Sequence, residues 1–295
     1  MTGPASGVTI QEALRRGAAA LRFAGVEEPE LEAEILLRHV LGLSRAQIIT
    51  RFPQDLSPEQ QAAFQDLLDR RRARQPTAYL VGHREFYGME FLVTPAVLIP
   101  RPETELVVEA ALEIGRRMAA SGTPPVVVDV GTGSGVIAVC LAQRLVPSRV
   151  IATDVSAGAL AVAGYNARRH RVAGRIEFRC GDLLDPVPEP ADLIVANPPY
   201  IPTDALAALP PEIRDHEPRQ ALDGGPDGLA VIRRLLARAP GHLRPGGAVV
   251  LELGHGQAPA ATDLARDAFP GADVAVRQDL AGHDRVMVVQ TAGGP

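Results

Sequence analysis

Tryptophan and lysine are absent from this 295-residue chain, and cysteine occurs only twice. Aromatic residues make up 4%, so Ala, Val and Leu must fill any core. Without lysine every fixed side-chain cation is an arginine, which we read as a GC-rich coding bias rather than a functional signal. Cys140 and Cys180 are too few for the disulfide framework of a small secreted domain. Cys140 sits in an apolar stretch and Cys180 at the end of an apparent strand, and both are expected to be structural rather than nucleophilic. The seven histidines are scattered and lack paired cysteines, so no metal site is expected. The net charge of −5 and a pI near 5.8 speak against direct nucleic-acid binding, which needs a basic surface. No apolar run reaches the length of a membrane span. The start Met1-Thr2-Gly3-Pro4 lacks the basic and apolar regions of a secretory signal, and a cytoplasmic protein with no membrane role is expected.

What is present is ordinary globular composition, 46% hydrophobic and 22% charged, at a length that suits one large or two unequal domains. Residues 1–75 read as a small helical bundle. Thr9-Ile10-Gln11-Glu12 and Ser44-Arg45-Ala46-Gln47 have the form of capping boxes, and Ser57-Pro58-Glu59 opens a further helix. The arginine run 70–74 is expected to be a solvated helix end, favoured there by the helix dipole. Residues 76–102 hold four of the eleven Phe and Tyr residues and two glycines, and read as a linker with a β-hairpin. The rest, 103–295, alternates helical stretches with short β-rich runs at 126–130, 150–153, 176–179, 193–196 and 248–253. Their near-continuous apolar character suits parallel strands buried on both faces. Two last strands, 273–277 and 286–290, are joined without a helix and are expected to be antiparallel.

Two motifs carry chemistry. Asp129-Val130-Gly131-Thr132-Gly133-Ser134-Gly135 ends the first of these strands and opens a helix. Alternate glycines allow a tight turn and close approach of a ligand, and a helix start offers unpaired N–H groups. Asp154 lies 19 residues beyond Gly135, at the end of the next strand, where a carboxylate can accept both hydroxyls of a ribose. The spacing is not that of a dinucleotide fingerprint, and no Walker lysine is present; an adenosine-containing ligand is expected. The second motif, Asn197-Pro198-Pro199-Tyr200, follows the buried run 193–196. It places an amide, stiff prolines with free carbonyls and a flat ring at a strand's carboxyl end, where open α/β sheets bind ligands. That set suits capture of a planar group bearing an NH2: a carboxamide or the amino edge of adenine.

With these motifs the chain resembles the class I S-adenosylmethionine methyltransferases, and within them the HemK/PrmC family. That family methylates the N5 of a glutamine in bacterial peptide chain release factors. The resemblance includes Ala78-Tyr79-Leu80 with Gly82, Phe86-Tyr87-Gly88, the run 97–105, residues 129–135 and Asn197 to Ile201. It continues through Glu217-Pro218, Ala221-Leu222, Gly224-Gly225 with Asp227-Gly228-Leu229, Pro245-Gly246-Gly247, and Asp279-Leu280-Ala281-Gly282 with Asp284-Arg285. Asn-Pro-Pro-Tyr also occurs in adenine and cytosine N-methyltransferases, and the Ile99-Pro100-Arg101-Pro102-Glu103-Thr104-Glu105 segment is the more discriminating match.

The resemblance implies an α/β fold with a seven-stranded, mostly parallel Rossmann-like sheet behind a helical substrate-recognition domain. It implies S-adenosyl-L-methionine as cofactor, with Gly131, Thr132, Gly133, Ser134 and Gly135 around its methionine and ribose and Asp154 on the ribose hydroxyls. Asp182 and Leu183 would border the adenine; the family's residue at 183 is often aromatic, and leucine leaves only apolar contact. Asn197 would touch both cofactor and substrate, and Asn197, Pro198, Pro199 and Tyr200 would hold the substrate amide. For catalysis the oxygen of Asn197 and the carbonyl of Pro198 accept its two N–H groups, and Tyr200 packs on its plane. The expected partner is a release factor, met by a monomer. A ribosomal-protein glutamine methyltransferase, an adenine-N6 methyltransferase on nucleic acid and a non-catalytic adenosine-binding module are the alternatives. Arg101 and Glu103 are expected near the substrate cleft without an assigned role.

Overall fold

The computed structural model describes residues 7–120 and 122–293. The chain forms two compact units. The first runs up to Gly82 and includes Pro210–His216; the second holds His83–Leu209 and Glu217 onward.

The first unit is helical: α1 (Ile10–Phe23), α2 (Pro29–Leu41), α3 (Arg45–Thr50), α4 (Pro58–Arg72) and α5 (Thr77–Val81). Side-chain caps start α1, α3 and α4. Ser44 and Gln47 form a complete capping box, with Gln47 N–H on Ser44 Oγ at 3.3 Å and Ser44 N–H on Gln47 Oε1 at 2.8 Å. At Thr9 only half the box forms: Thr9 Oγ1 accepts from Glu12 N–H, while the Glu12 carboxylate is taken by Arg15 and Arg16. The unit extends past residue 75 because α5 packs Leu80 and Val81 into the same apolar cluster as Leu21, Leu36 and Phe64. The arginine run 70–74 is not uniformly solvated. Arg71 is 6% exposed and donates to Glu32 at 2.8 Å and to Glu212 at 3.0 Å. Burying its charge requires those two carboxylates. Glu212, on a single helical turn, also accepts from Arg74 at 2.9 Å.

The second unit opens with a hairpin, β1 (His83–Phe86) and β2 (Met89–Leu92), whose Phe86 and Phe91 meet edge to face in the core. Then follow α6 (Thr104–Ala119), β3 (Val126–Val130), α7 (Val136–Arg144), β4 (Arg149–Asp154), α8 (Ala157–Arg169), β5 (Ile176–Cys180) and β6 (Ala191–Ala196). The chain ends with α9 (Ala230–Arg238), β7 (Leu243–Glu252), α10 (Ala258–Ala268), β8 (Asp273–Gln278) and β9 (Asp284–Gln290). Among the described residues seven strands form one sheet in the order β5-β4-β3-β6-β7-β9-β8. Strands β3 to β7 pair in parallel, and β9 runs antiparallel to both β7 and β8. This is the sheet implied by the resemblance.

Strand period divides the core into two layers. Val127, Val150, Leu193, Val195, Ala248 and Val250 face one apolar cluster with α6 and α7. Val128, Ile151, Ile194, Val249 and Leu251 face the other with α9 and α10. Both faces are therefore covered, as a largely parallel sheet requires. Cys140 is buried in the first layer and burial pushes its thiol up to about 12; Cys180 is exposed and its Sγ meets Val155 O. No helix among the described residues is long and apolar enough to cross a membrane.

Candidate active site

The order of strands reverses between β3 and β6, and ligands gather outside the carboxyl ends at such a point. The glycine turn follows β3, Asp154 ends β4, Asp182 follows β5, Asn197 follows β6 and Glu252 ends β7. A cavity of ≈ 260 Å³ opens there, within the second unit. Gly131, Thr132, Gly133, Ser134 and Asp154 line it on one side, with Asp182 and Leu183. Asn197, Pro198 and Pro199 line it on another. Gly135 and Tyr200 do not line it.

The turn is held from beneath. The N–H groups of Gly131 and Thr132 both donate to Thr153 O at 2.9 Å, and Gly135 N–H donates to Thr132 O at 2.8 Å. Gly131 sits at φ +71° with open space where a Cβ would point, so the backbone itself faces the cavity. Asp154 Oδ2 accepts Gly133 N–H at 2.9 Å and Oδ1 accepts Ser156 N–H at 2.8 Å. Each oxygen keeps a second lone pair for a ligand hydroxyl. Asp129 lies below, fully buried. Its Oδ2 accepts from Thr132 Oγ1 and from Ala138 N–H, while its Oδ1 has no partner among the described residues. Burial pushes its carboxyl up to about 7, against the two hydrogen bonds that lower it. Asn166, also buried, ties the turn to the hairpin: Nδ2 donates to Ser134 O at 2.8 Å and to Leu92 O at 3.0 Å, and Oδ1 accepts Leu92 N–H at 2.8 Å.

At the far side Leu183 holds a left-handed φ of +51°, fixed by Thr153 Oγ1 donating to its carbonyl at 2.8 Å. A non-glycine residue in that region persists only when its surroundings impose it. Asp182 is paired with Arg234 and with Arg238. Val155 is 56% exposed and lines the same side. An apolar wall beside the Asp154 carboxylate, with its remaining lone pairs, and an exposed glycine backbone suits an adenosine with an attached amino-acid chain. The residues present therefore fit S-adenosylmethionine.

On the Asn197 side of the cavity, Asn197 Nδ2 donates to Thr104 Oγ1 at 2.9 Å, and Thr104 Oγ1 donates to Glu252 Oε2 at 2.7 Å. No hydrogen bond to Asn197 Oδ1 forms among the described residues. Tyr200, expected to stack on the substrate, instead reaches Glu252 Oε1 with its hydroxyl at 3.3 Å. Its ring packs in the α9 and α10 layer, and burial raises its hydroxyl pKa. Arg101 lines the cavity and pairs with the buried Glu217 at 2.5 Å; Glu217 also accepts Ile99 N–H. That pair pins the 99–105 segment to the cavity wall.

Sequence reasoning does not single out Glu252, Asn166 or Val155, and Thr104 enters it only as part of the 99–105 segment. Glu252 had a visible signal, a carboxylate inside an apolar strand, which must find donors when buried.

Similarity to known proteins agrees with this geometry. A family model described as the PrmC N-terminal domain matches residues 12–82, and one described as the Methyltransferase small domain matches 116–208. A release factor glutamine methyltransferase from Moorella thermoacetica is 47% identical over 279 residues, covering 94% of this chain and 97% of that protein. The chain belongs to the release factor glutamine methyltransferase family. A second relative of that name, from Geobacter sulfurreducens, is 44% identical and covers 95% of each chain. The solved hMettl16 catalytic domain, in complex with MAT2A 3'UTR hairpin 6, is 16% identical at a TM-score of 0.55 over 76% of this chain and 81% of that one. It shows the methyltransferase fold alone. As a member of a methyltransferase family this protein is a transferase with the class I α/β fold, and the family implies use of S-adenosylmethionine.

Proposed function

We propose that this protein transfers a methyl group from S-adenosylmethionine to the N5 amide nitrogen of the glutamine in a release factor's Gly-Gly-Gln loop. The observation that carries the reading is Asn197. Its amide is anchored through Nδ2, and its Oδ1 is left for a ligand in the cavity that the glycine turn and Asp154 also line.

The bound cofactor supplies an electrophilic sulfonium methyl. The chain's own task is positioning, because close, aligned reactants recover much of the barrier. Gly131 to Ser134 present backbone to the cofactor's methionine and ribose portion, Asp154 takes its ribose hydroxyls, and Val155 and Leu183 flank its base. The amide nitrogen of glutamine is a poor nucleophile, since its lone pair is shared with its carbonyl, as in a peptide bond. Asn197 Oδ1 and Pro198 O accept its two N–H groups, which fixes the nitrogen and favours the positive charge that grows on it. Pro198 and Pro199 suit this role because rigid φ angles hold the carbonyl where it is. Tyr200 serves from behind, as a partner of Glu252. No base is needed before transfer, and the methylated amide then sheds its proton to water.

The helical unit is the part we assign to recognition of the protein substrate. The acidic composition supports a protein rather than a nucleic acid as partner, and we read the enzyme as a monomer in the cytoplasm. The test is incubation with labelled S-adenosylmethionine and, separately, a release factor, a ribosomal protein and DNA. Label on the release factor's Gly-Gly-Gln glutamine supports the reading; label on either of the others instead overturns it.

A further inference from the structure

Asparagine serves as an acceptor only if its oxygen, and not its NH2, faces the substrate. The two ends are alike in size, so shape does not choose between them. Hydrogen bonding does. Glu252 is 0% exposed and Thr104, at the cavity wall, only 2%, so solvent offers them few other partners. A carboxylate can only accept. The single hydroxyl proton of Thr104 therefore goes to Glu252 Oε2, at 2.7 Å. Only lone pairs remain on Thr104 Oγ1 for its next neighbour, Asn197, at 2.9 Å. Asn197 must then point its NH2 at Thr104, and its oxygen is the end left over.

We propose that Glu252, acting through Thr104, is a positioning residue that fixes the Asn197 amide with its oxygen toward the substrate nitrogen. This rests on the glutamine-methylation reading and extends it to two residues outside the Asn-Pro-Pro-Tyr motif. Tyr200 supports the arrangement by donating to the other oxygen, Oε1, at 3.3 Å.

The relay depends on the charge of Glu252. Burial pushes its carboxyl up to about 7; the Thr104 and Tyr200 hydrogen bonds and Arg285 on β9 pull it down, and Glu103 before α6 raises it. Once Glu252 holds a proton, it no longer demands the proton of Thr104. That hydroxyl is then free to donate to Asn197, the amide can turn over, and its NH2 opposes the N–H groups of the incoming glutamine. The rate of transfer should fall as the pH drops through about 7.

The experiment is single-turnover methylation of a release factor at saturating S-adenosylmethionine, across pH, with the full chain. Thr104→Val should slow transfer by about 100-fold, the order reached when a reacting group is misplaced. It should also lose the acid limb while cofactor affinity by calorimetry stays near wild type and the fold is kept, with the unfolding midpoint lowered only by the lost hydrogen bonds. Thr104→Ser, which restores the hydroxyl, should recover most of the rate and the limb. Glu252→Gln should be slow and without the limb, and if it fails to fold the two Thr104 variants carry the test. Wild-type rate and pH profile in Thr104→Val overturn the inference, as does Thr104→Ser behaving no better than Thr104→Val. Asn197→Ala separates the two levels. If it is inactive while Thr104→Val is normal, only this inference falls; if wild-type protein leaves the release factor unmethylated, the functional reading falls with it.

Discussion

Gly135 offers a test of how the glycine turn is built. It heads α7 at φ +83°, and a Cβ there would lie 2.9 Å from Ala163 Cβ and 3.1 Å from Ala163 Cα on α8. Gly135→Ala meets two separate costs. The left-handed backbone costs an alanine about 1–2 kcal/mol. Forcing α8 away adds about 1–3 kcal/mol of overpacking. The total of about 2–5 kcal/mol corresponds to a midpoint lower by roughly 4–20 °C for a unit of this size. Ala163→Gly removes the clash with the Cβ but leaves the Cα at 3.1 Å and the backbone strain, and by itself costs about 1 kcal/mol as a glycine in a helix. The double variant should therefore be more stable than the sum of the single ones, by about 1–3 kcal/mol. Denaturant unfolding of the four proteins, followed by circular dichroism, measures the coupling. Additivity within about 0.5 kcal/mol would show that the close approach of α7 and α8 does not make glycine necessary.

Asp154→Ala should weaken S-adenosylmethionine binding at least about tenfold, as expected for loss of hydrogen bonds to a charged acceptor, and an unchanged dissociation constant by calorimetry removes its role. Asn166→Ala removes three hydrogen bonds around Leu92 and Ser134 and should cost about 3 kcal/mol, read by chemical denaturation; a loss under about 1 kcal/mol would mean that the hairpin and turn are held by other contacts. The carboxyl pKa of Glu252 and of Asp129 is raised in the folded state, each to about 7. Groups raised above their unfolded values lend stability that is fully present below those values and lost as the pH climbs through about 7. Stability of the cofactor-free protein should therefore fall between about pH 4 and pH 8, and Glu252→Gln should flatten that slope; an unaltered slope in Glu252→Gln contradicts the assignment.

Much of this was readable along the chain, and what was not has a physical reason. The runs 126–130 and 193–196 are apolar enough on both faces to announce buried parallel strands, and they are strands. The glycine turn and Asp154 were visible because strand, turn and next strand follow in order, so spacing encodes proximity. Strand β7 begins five residues earlier than its apolar run, at Leu243, because Pro245-Gly246-Gly247 reads as a turn yet sits at an irregularity in the ladder with β6. Arg71 looked like a surface charge because its partner Glu212 lies 141 positions away. The Thr104–Glu252 bond spans 148 positions. Local periodicity carries no information at that range, and only the folded sheet brings α6 against the end of β7. Tyr200 departs from its expected place for a similar reason: its motif suggests a stacking ring, while its hydroxyl is claimed by a carboxylate at the end of β7.

The central claim is that the oxygen of Asn197 aims a glutamine nitrogen at the transferable methyl. Its most direct test is the single-turnover rate of methyl transfer to a release factor by Asn197→Ala, measured beside cofactor affinity in the same preparation. The account predicts near-complete loss of transfer with binding of S-adenosylmethionine largely kept. Transfer at the wild-type rate would contradict it.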